Sequence, residues 1–307
     1  MDPIRSESIQ PDAWHFVVPL LFAPGFLVAR FFLDRFIFRR LALWLLNKGR
    51  PQLKINETTR AKISKCSESM WKLTYYATVE FCILKFACDE PWFTDTNLYF
   101  KGWPNQELKL PIMLYYMCQC GFYIYSIAAL LTWETRRKDF AVMMAHHVIT
   151  VLLIGYSYFT RFFQIGSIIL ALHDASDVFM EAAKVFKYSE NELGATVIFG
   201  LFAISWVILR LIFFPFWVIK CTSYDLQFYL NLSESYDMFI YYMFNTMLLM
   251  LFVFHIYWWV LIFSMIWRQL KSGQLGEDIR SGGRFCSNLL VLADDASHGE
   301  IDYFGRL

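Results

Sequence analysis

The chain has 307 residues, of which 57% are apolar, 19% are Phe, Trp or Tyr and 18% are charged. Soluble domains hold about 45–50% apolar and about 25% charged residues, so the composition excludes a water-soluble globule, a disordered chain and a coiled coil. A balance of 28 basic against 27 acidic residues, net +1, excludes a nucleic-acid binder as a whole. Seven cysteines (Cys66, Cys82, Cys88, Cys118, Cys120, Cys221, Cys286) are scattered, mostly inside apolar runs, and read as free thiols without a CxxC metal site.

A bilayer-crossing helix needs about 20 mostly apolar residues. Seven stretches qualify, at roughly 14–33, 71–88, 112–133, 140–160, 165–183, 195–219 and 238–267. The first follows acidic and polar residues rather than a basic n-region, and it reads as a retained anchor. With the N-terminus placed in the lumen, the cytosolic loops collect twenty Lys and Arg and the lumenal ones six. That split holds loop by loop, as the positive-inside rule requires, and it puts the C-terminus in the cytosol. Trp14, Trp71, Trp92, Trp133, Trp217 and Trp267 fall near span ends, where amphipathic rings prefer the headgroup region. Residues 34–70 form a basic amphipathic segment expected on the membrane surface. The sequon at Asn231 lies in a lumenal loop and is a candidate glycosylation site. From Gly273 onward the tail reads as flexible. The expected organisation is an N-terminal anchor with its basic segment (1–61), a six-helix domain (62–270) and a tail (271–307).

Ionisable groups inside spans are costly and mark pathways or reaction centres. They concentrate in AVMMAHHVIT (141–150) and LALHDASDVFMEAAK (170–184). His173, Asp177 and Glu181 follow at four-residue steps and Asp174 lies three before Asp177, so one helical face carries the set. His146 and Thr150 share a face of the preceding helix, with His147 about 100° away. His146 lies seven residues past Asp139 and Asp177 seven before Lys184, so both are about 10 Å below the cytosolic surface. A very short turn at 161–164 makes the two helices antiparallel neighbours, and His146 and His147 are expected to meet Asp174 and Asp177 across the hairpin. A carboxylate there fixes the imidazole tautomer and makes the ring a better base or nucleophile. Simple helix cohesion, or a zinc site from His146, His147, His173 and an Asp, are the alternatives. Arg136, Arg137 and Lys138, just outside the helix, anchor it to the cytosolic face and suit a phosphate clamp for a coenzyme A nucleotide. Glu80 and Arg210, both near mid-span, are expected to pair. His255 and Asn245 on the last helix read as packing and hydrogen-bonding residues rather than catalytic ones.

The block 136–184 resembles the Lag motif of ceramide synthases, acyl-CoA-dependent N-acyltransferases of the TLC-domain family. It carries RRKDF (136–140), His146-His147, Thr150, SY (157–158), HDASD (173–177) and Glu181-x-x-Lys184. The wider likeness runs from Lys62 to Leu270, with WPNQELK (103–109) and FHIYWW (254–259), and is closest to the plant subclass. The resemblance implies an all-α polytopic fold in which six helices form a barrel around a lipid cavity. It implies acyl transfer from a fatty acyl-CoA to a sphingoid base in the endoplasmic reticulum membrane. The chemistry would fall to His146, His147, Asp174 and Asp177, supported by His173, Thr150 and Glu181. No cofactor, metal or nucleic acid is implied, and a homo- or hetero-dimer with related synthases is compatible with it. In the family the loop before the last span, here 220–237, influences acyl length, and the plant subclass points to chains of about sixteen carbons. A non-catalytic lipid-sensing or lipid-transport protein of the same fold is the alternative. So is a proton-coupled transporter, which would act only across a sealed membrane.

Overall fold

The computed structural model describes residues 10–47, 56–134 and 137–272. Arg136, the middle of the basic segment and the tail from Gly273 lie outside the described residues. Seven long helices carry the fold: α1 (Ala13–Asn47), α2 (Glu57–Ala87), α3 (Leu110–Thr132), α4 (Phe140–Phe159), α5 (Phe163–Tyr188), α6 (Glu192–Phe228) and α7 (Ser235–Ser272). No strand occurs among the described residues. Five of the helices, α1, α3, α4, α6 and α7, are long and apolar enough to cross a bilayer by composition alone. The other two fall short because they carry the charges. At 1.5 Å per residue α2 and α5 still measure about 46 and 39 Å, more than the roughly 30 Å hydrocarbon core. They pack on each other inside the bundle, so their polar groups face protein rather than lipid.

Local sequence sets the helix ends. The Asn56 side chain accepts from the Thr59 amide (2.8 Å) to start α2, and Asn191 accepts from the Gly194 amide (2.9 Å) to start α6. Three residues, Thr160 to Phe162, join α4 to α5, with Arg161 in the left-handed region (φ 61°). In α6 the backbone widens to a π-type ladder from Val207 to Ile219 around Pro215, which has no N–H to give. The described parts of 34–70 form no separate surface segment. They extend α1 and α2, which join where Ser67 donates to Asp34.

Helices α2, α5, α6, α7, α4 and α3 contact one another in that cyclic order, forming a closed six-helix ring. The anchor α1 packs outside it against α3. The two approach closely because residue 121 is Gly: a Cβ there would meet Phe22 Cβ at 2.6 Å and the Pro19 carbonyl at 3.0 Å. One end of the ring is basic, with Lys72 bridging Glu68 (2.9 Å) and Glu134 (3.0 Å) and Arg137 and Lys138 beside it. The opposite end is closed by buried contacts such as His15 with Tyr158, and the Trp103 indole donating to the Thr160 carbonyl (2.7 Å).

The ring order corrects one expectation. Although the turn between them is short, α4 and α5 pack little against each other. Beyond it α4 packs on α3 and α7, and α5 on α2 and α6. The paired helices thus become facing walls of a chamber rather than a packed hairpin.

Candidate active site

His146 is buried on α4 and His147 half-buried. The His146 ring stands edge-on to Trp258 (centroids 5.1 Å) and lies near-parallel to His173 across the chamber (6.3 Å). His147 lies 5.5 Å from the Tyr123 ring. Neither ring is hydrogen-bonded to any described residue, and both Nδ1 atoms are buried. A buried polar atom without a partner costs about 1–3 kcal/mol, so such atoms mark places where something else must bind or react.

His173 faces them from α5 and is fully engaged. Its Nδ1 lies 2.6 Å from the Ile169 carbonyl and its Nε2 lies 2.8 Å from Nε2 of His255 on α7. A carbonyl only accepts, so in the uncharged ring Nδ1 carries the proton and Nε2 is a lone pair. His255 must then donate through Nε2, which leaves its own Nδ1, also buried and unpartnered, as a bare lone pair. His255 is completely buried and belongs to the site. The packing and hydrogen-bonding role read from sequence describes both His255 and Asn245, which bonds Thr222 (2.9 Å) and Ser223 (3.1 Å).

The carboxylates do not meet the α4 histidines. Asp174 Oδ2 accepts from Gln119 on α3, with the Tyr115 hydroxyl at 3.5 Å, and Gln119 in turn accepts from Tyr75 (2.9 Å). Asp177 pairs with Arg210 on α6 at 2.9 Å. Arg210 also donates to Ser176 Oγ and to the His173 carbonyl, each at 2.8 Å, and stacks over Trp206 at 4.2 Å. The expected pairing of His146 and His147 with Asp174 and Asp177 is therefore replaced by carboxylate contacts to α3 and α6. The physical reason is the splay of α4 from α5, together with the angular separation of 174 and 177 from the wall that faces α4. The expected Glu80–Arg210 pair is also absent: Arg210 is taken by Asp177, and Glu80 Oε2 has no partner among the described residues.

Thr150 is buried in the wall, its hydroxyl returned to the His146 carbonyl (2.8 Å). Glu181, 2% exposed, pairs with Lys184 (2.7 Å) toward the basic end. Arg137 and Lys138 sit at that end, one helical turn before α4. Among the described residues no three His, Cys, Asp or Glu side chains converge as a metal site. The residues missed from sequence were His255, Gln119, Tyr115, Tyr123 and Trp258. The only signal for His255 was an intramembrane ionisable side chain, the same signal that marks Arg210.

Beside His173 lies a small pocket lined almost wholly by apolar atoms. His173, Thr150 and Tyr123 stand at its histidine end and Gly166, Ser157 and Tyr116 at the other. The arrangement is thus an unengaged imidazole pair about 10 Å below a basic rim, facing His173, which lines an apolar pocket.

Residues 65–264 match the TLC domain. The chain is 62% identical to ceramide synthase LOH2 of Arabidopsis thaliana over 91% of its own length and 95% of the relative's. It is 45% identical to ceramide synthase LOH1 of the same plant, over 85% and 88%. With ceramide synthase 4 of Mus musculus it shares 34% identity over 76% of this chain and 56% of that protein. A match over most of the helical ring, with relatives of this identity across almost the whole chain, makes the protein a member of the TLC-domain family.

Proposed function

We propose that the protein is a ceramide synthase, transferring the acyl group of a fatty acyl-CoA to the amine of a sphingoid base. The observation that carries this reading is the unengaged His146-His147 pair beneath a basic rim, with His146 facing His173 of the apolar pocket. The names of the relatives point the same way. The excess of Lys and Arg assigns the basic end to the cytosol, and with it a lumenal N-terminus and a cytosolic C-terminus in the endoplasmic reticulum membrane. Asn231, exposed in the α6–α7 loop, then faces the lumen.

The acyl-CoA nucleotide docks on Arg137 and Lys138, with Arg136 next to them in the sequence, and its acyl tail enters the pocket. A His146 imidazole nitrogen attacks the thioester carbonyl. The C–S bond breaks, the CoA thiolate leaves and an acyl-imidazole remains. The sphingoid amine then attacks the acyl carbon, forming the amide C–N bond and returning His146. Of the two protons the ammonium loses, one ends on the CoA thiol and the other passes to water by way of His147. Asp177 and Asp174 act as positioning residues. Through Arg210 and Gln119 they fix α5, and with it His173 opposite the reacting ring. His255 holds the His173 tautomer.

Detergent-purified protein given a sphingoid base and acyl-CoA should form ceramide. His146→Ala should abolish turnover while the protein remains folded, and wild-type turnover in that variant would refute the site. With acyl-CoA alone, mass spectrometry should find an adduct of acyl mass on His146. An unmodified histidine pair would remove the covalent route and leave direct attack of the amine on the thioester.

A further inference from the structure

The pocket has a floor, and its position follows from helix register. Tyr123 and Tyr116 on α3, Thr150 and Ser157 on α4, and His173 and Gly166 on α5 are each seven residues apart. Leu251 and Phe244 on α7 repeat the step. Seven residues are two turns, about 10.5 Å, and His146 stands about one further turn from Ser157, at about 16.5 Å.

The floor is built around one phenol. Tyr116 is completely buried, and its hydroxyl meets Ser157 Oγ at 3.0 Å and the Phe162 and Phe163 carbonyls at 3.2 Å each. Gly166 makes room for it: a Cβ there would fall 1.9 Å from the Tyr116 hydroxyl and 2.5 Å from Ser157 Oγ. Outside this layer Phe162 packs on Phe244 (5.0 Å) and Phe100 (5.5 Å), and Tyr229 of the α6–α7 loop rests on Phe100 (6.0 Å).

We propose that Tyr116, seated by Gly166 and Ser157, is the acyl-length determinant of this enzyme. The proposal rests on the acyltransferase reading above. With C–C bonds of about 1.5 Å and angles of about 111°, an extended chain advances about 1.25 Å per carbon. A chain held at His146 and running along α4 touches the phenol at about fourteen carbons, and one inclined to that helix at up to about sixteen. A chain of about twenty-four carbons would need roughly 10 Å more, through the layer of Phe162, Phe244 and Phe100. The α6–α7 loop lies behind that layer, so it influences chain length indirectly, through Tyr229 and Phe100.

The test incubates the full-length protein in detergent with one sphingoid base and an equimolar series of saturated acyl-CoAs from about fourteen to about twenty-four carbons. In the wild type, product should peak near sixteen carbons and fall about tenfold or more within two carbons beyond the peak, as an oversized methylene does in a closed apolar pocket. Tyr116→Leu vacates a depth of about 4 Å and should move the peak up by about two to three carbons. Gly166→Ala, which displaces the phenol inward, should move it down. Gly166→Ala combined with Tyr116→Phe puts the new methyl where the hydroxyl was and should restore the wild-type profile. No ceramide from the wild type at any length would defeat the acyltransferase reading itself. Ceramide with comparable rates at about sixteen and twenty-four carbons would overturn the floor alone, without need of any variant. So would an active Tyr116→Leu protein with an unmoved profile.

Discussion

Arg210 holds three groups of α5 at once, and replacing it separates architecture from chemistry in the polar cluster. Arg210→Met keeps the length and apolar stem of the side chain but leaves Asp177, 15% exposed, without its cation. Breaking a buried pair from one side costs about 3–5 kcal/mol, because the remaining charge stays in a medium that cannot solvate it. Asp177→Asn strands the guanidinium, 3% exposed, at a similar cost. At about 2–4 °C of melting temperature per kcal/mol, each single variant should melt about 6–20 °C lower in detergent. The double variant Asp177→Asn/Arg210→Met carries neither charge. It should recover at least about 2 kcal/mol relative to the sum of the single losses, within the range seen for coupled neighbours. Because Asp177 touches neither α4 histidine, the double variant should also recover measurable ceramide formation, with the residual loss in kcat rather than KM. Unfolding is followed by thermal denaturation of the purified protein, and turnover by lipid mass spectrometry. Losses that simply add within about 0.5 kcal/mol would refute the pairing. A double variant as stable as wild type yet wholly inactive would return Asp177 to direct chemistry.

Two further outcomes follow from the same geometry. His255→Phe fills the space of the ring but removes the donor to His173 Nε2; kcat should fall about ten- to a hundredfold with KM and melting temperature little changed, and an unaltered kcat would detach the pair from the reaction. In a Cys286→Ser background, Cys88, exposed in the α2–α3 connection, should react with a membrane-impermeant maleimide only after the lumenal face of sealed microsomes is opened; labelling of Cys88 in intact vesicles would invert the orientation.

The helices were legible because hydropathy and loop charge act on whole segments. Helices α2 and α5 fall short on composition alone, and it was loop charge, alternating from side to side along the chain, that kept them in the count. The His146-His147 pair was legible too, as costly side chains at a fixed depth. What the sequence could not give was partnership. Depth places Asp177, Glu80 and Arg210 at comparable levels but does not say which helix lies beside which. The pairing of Glu80 with Arg210 and of Asp177 with a histidine were both consistent with depth, and ring order decided against both. Chain proximity misled in the same way: a three-residue turn ties α4 to α5, yet each buries more surface against other helices, and packing overrides the tether. His255 is 82 residues from His173, and a single histidine in an apolar stretch gave no indication of that contact.

In a bilayer interior every unsatisfied polar atom carries a penalty, so the pattern of satisfied and unsatisfied groups sorts the cluster by role. Asp177 and the inner oxygen of Asp174 are bound by side chains of other helices, and His173 by its own helix and by α7. These contacts brace the ring, although Oδ1 of Asp174 and Nδ1 of His255 have no partner among the described residues. His146 and His147 have no such contact, although Tyr123, Trp258 and Phe254 press on them from the side and fix their planes. Aromatic walls orient an imidazole without occupying its lone pair, whereas a carboxylate would engage the nitrogen that, in the proposed mechanism, attacks the thioester. On that proposal, aspartates placed away from these rings keep the nucleophile both oriented and free, and the same carboxylates hold the opposite wall at a fixed distance from it.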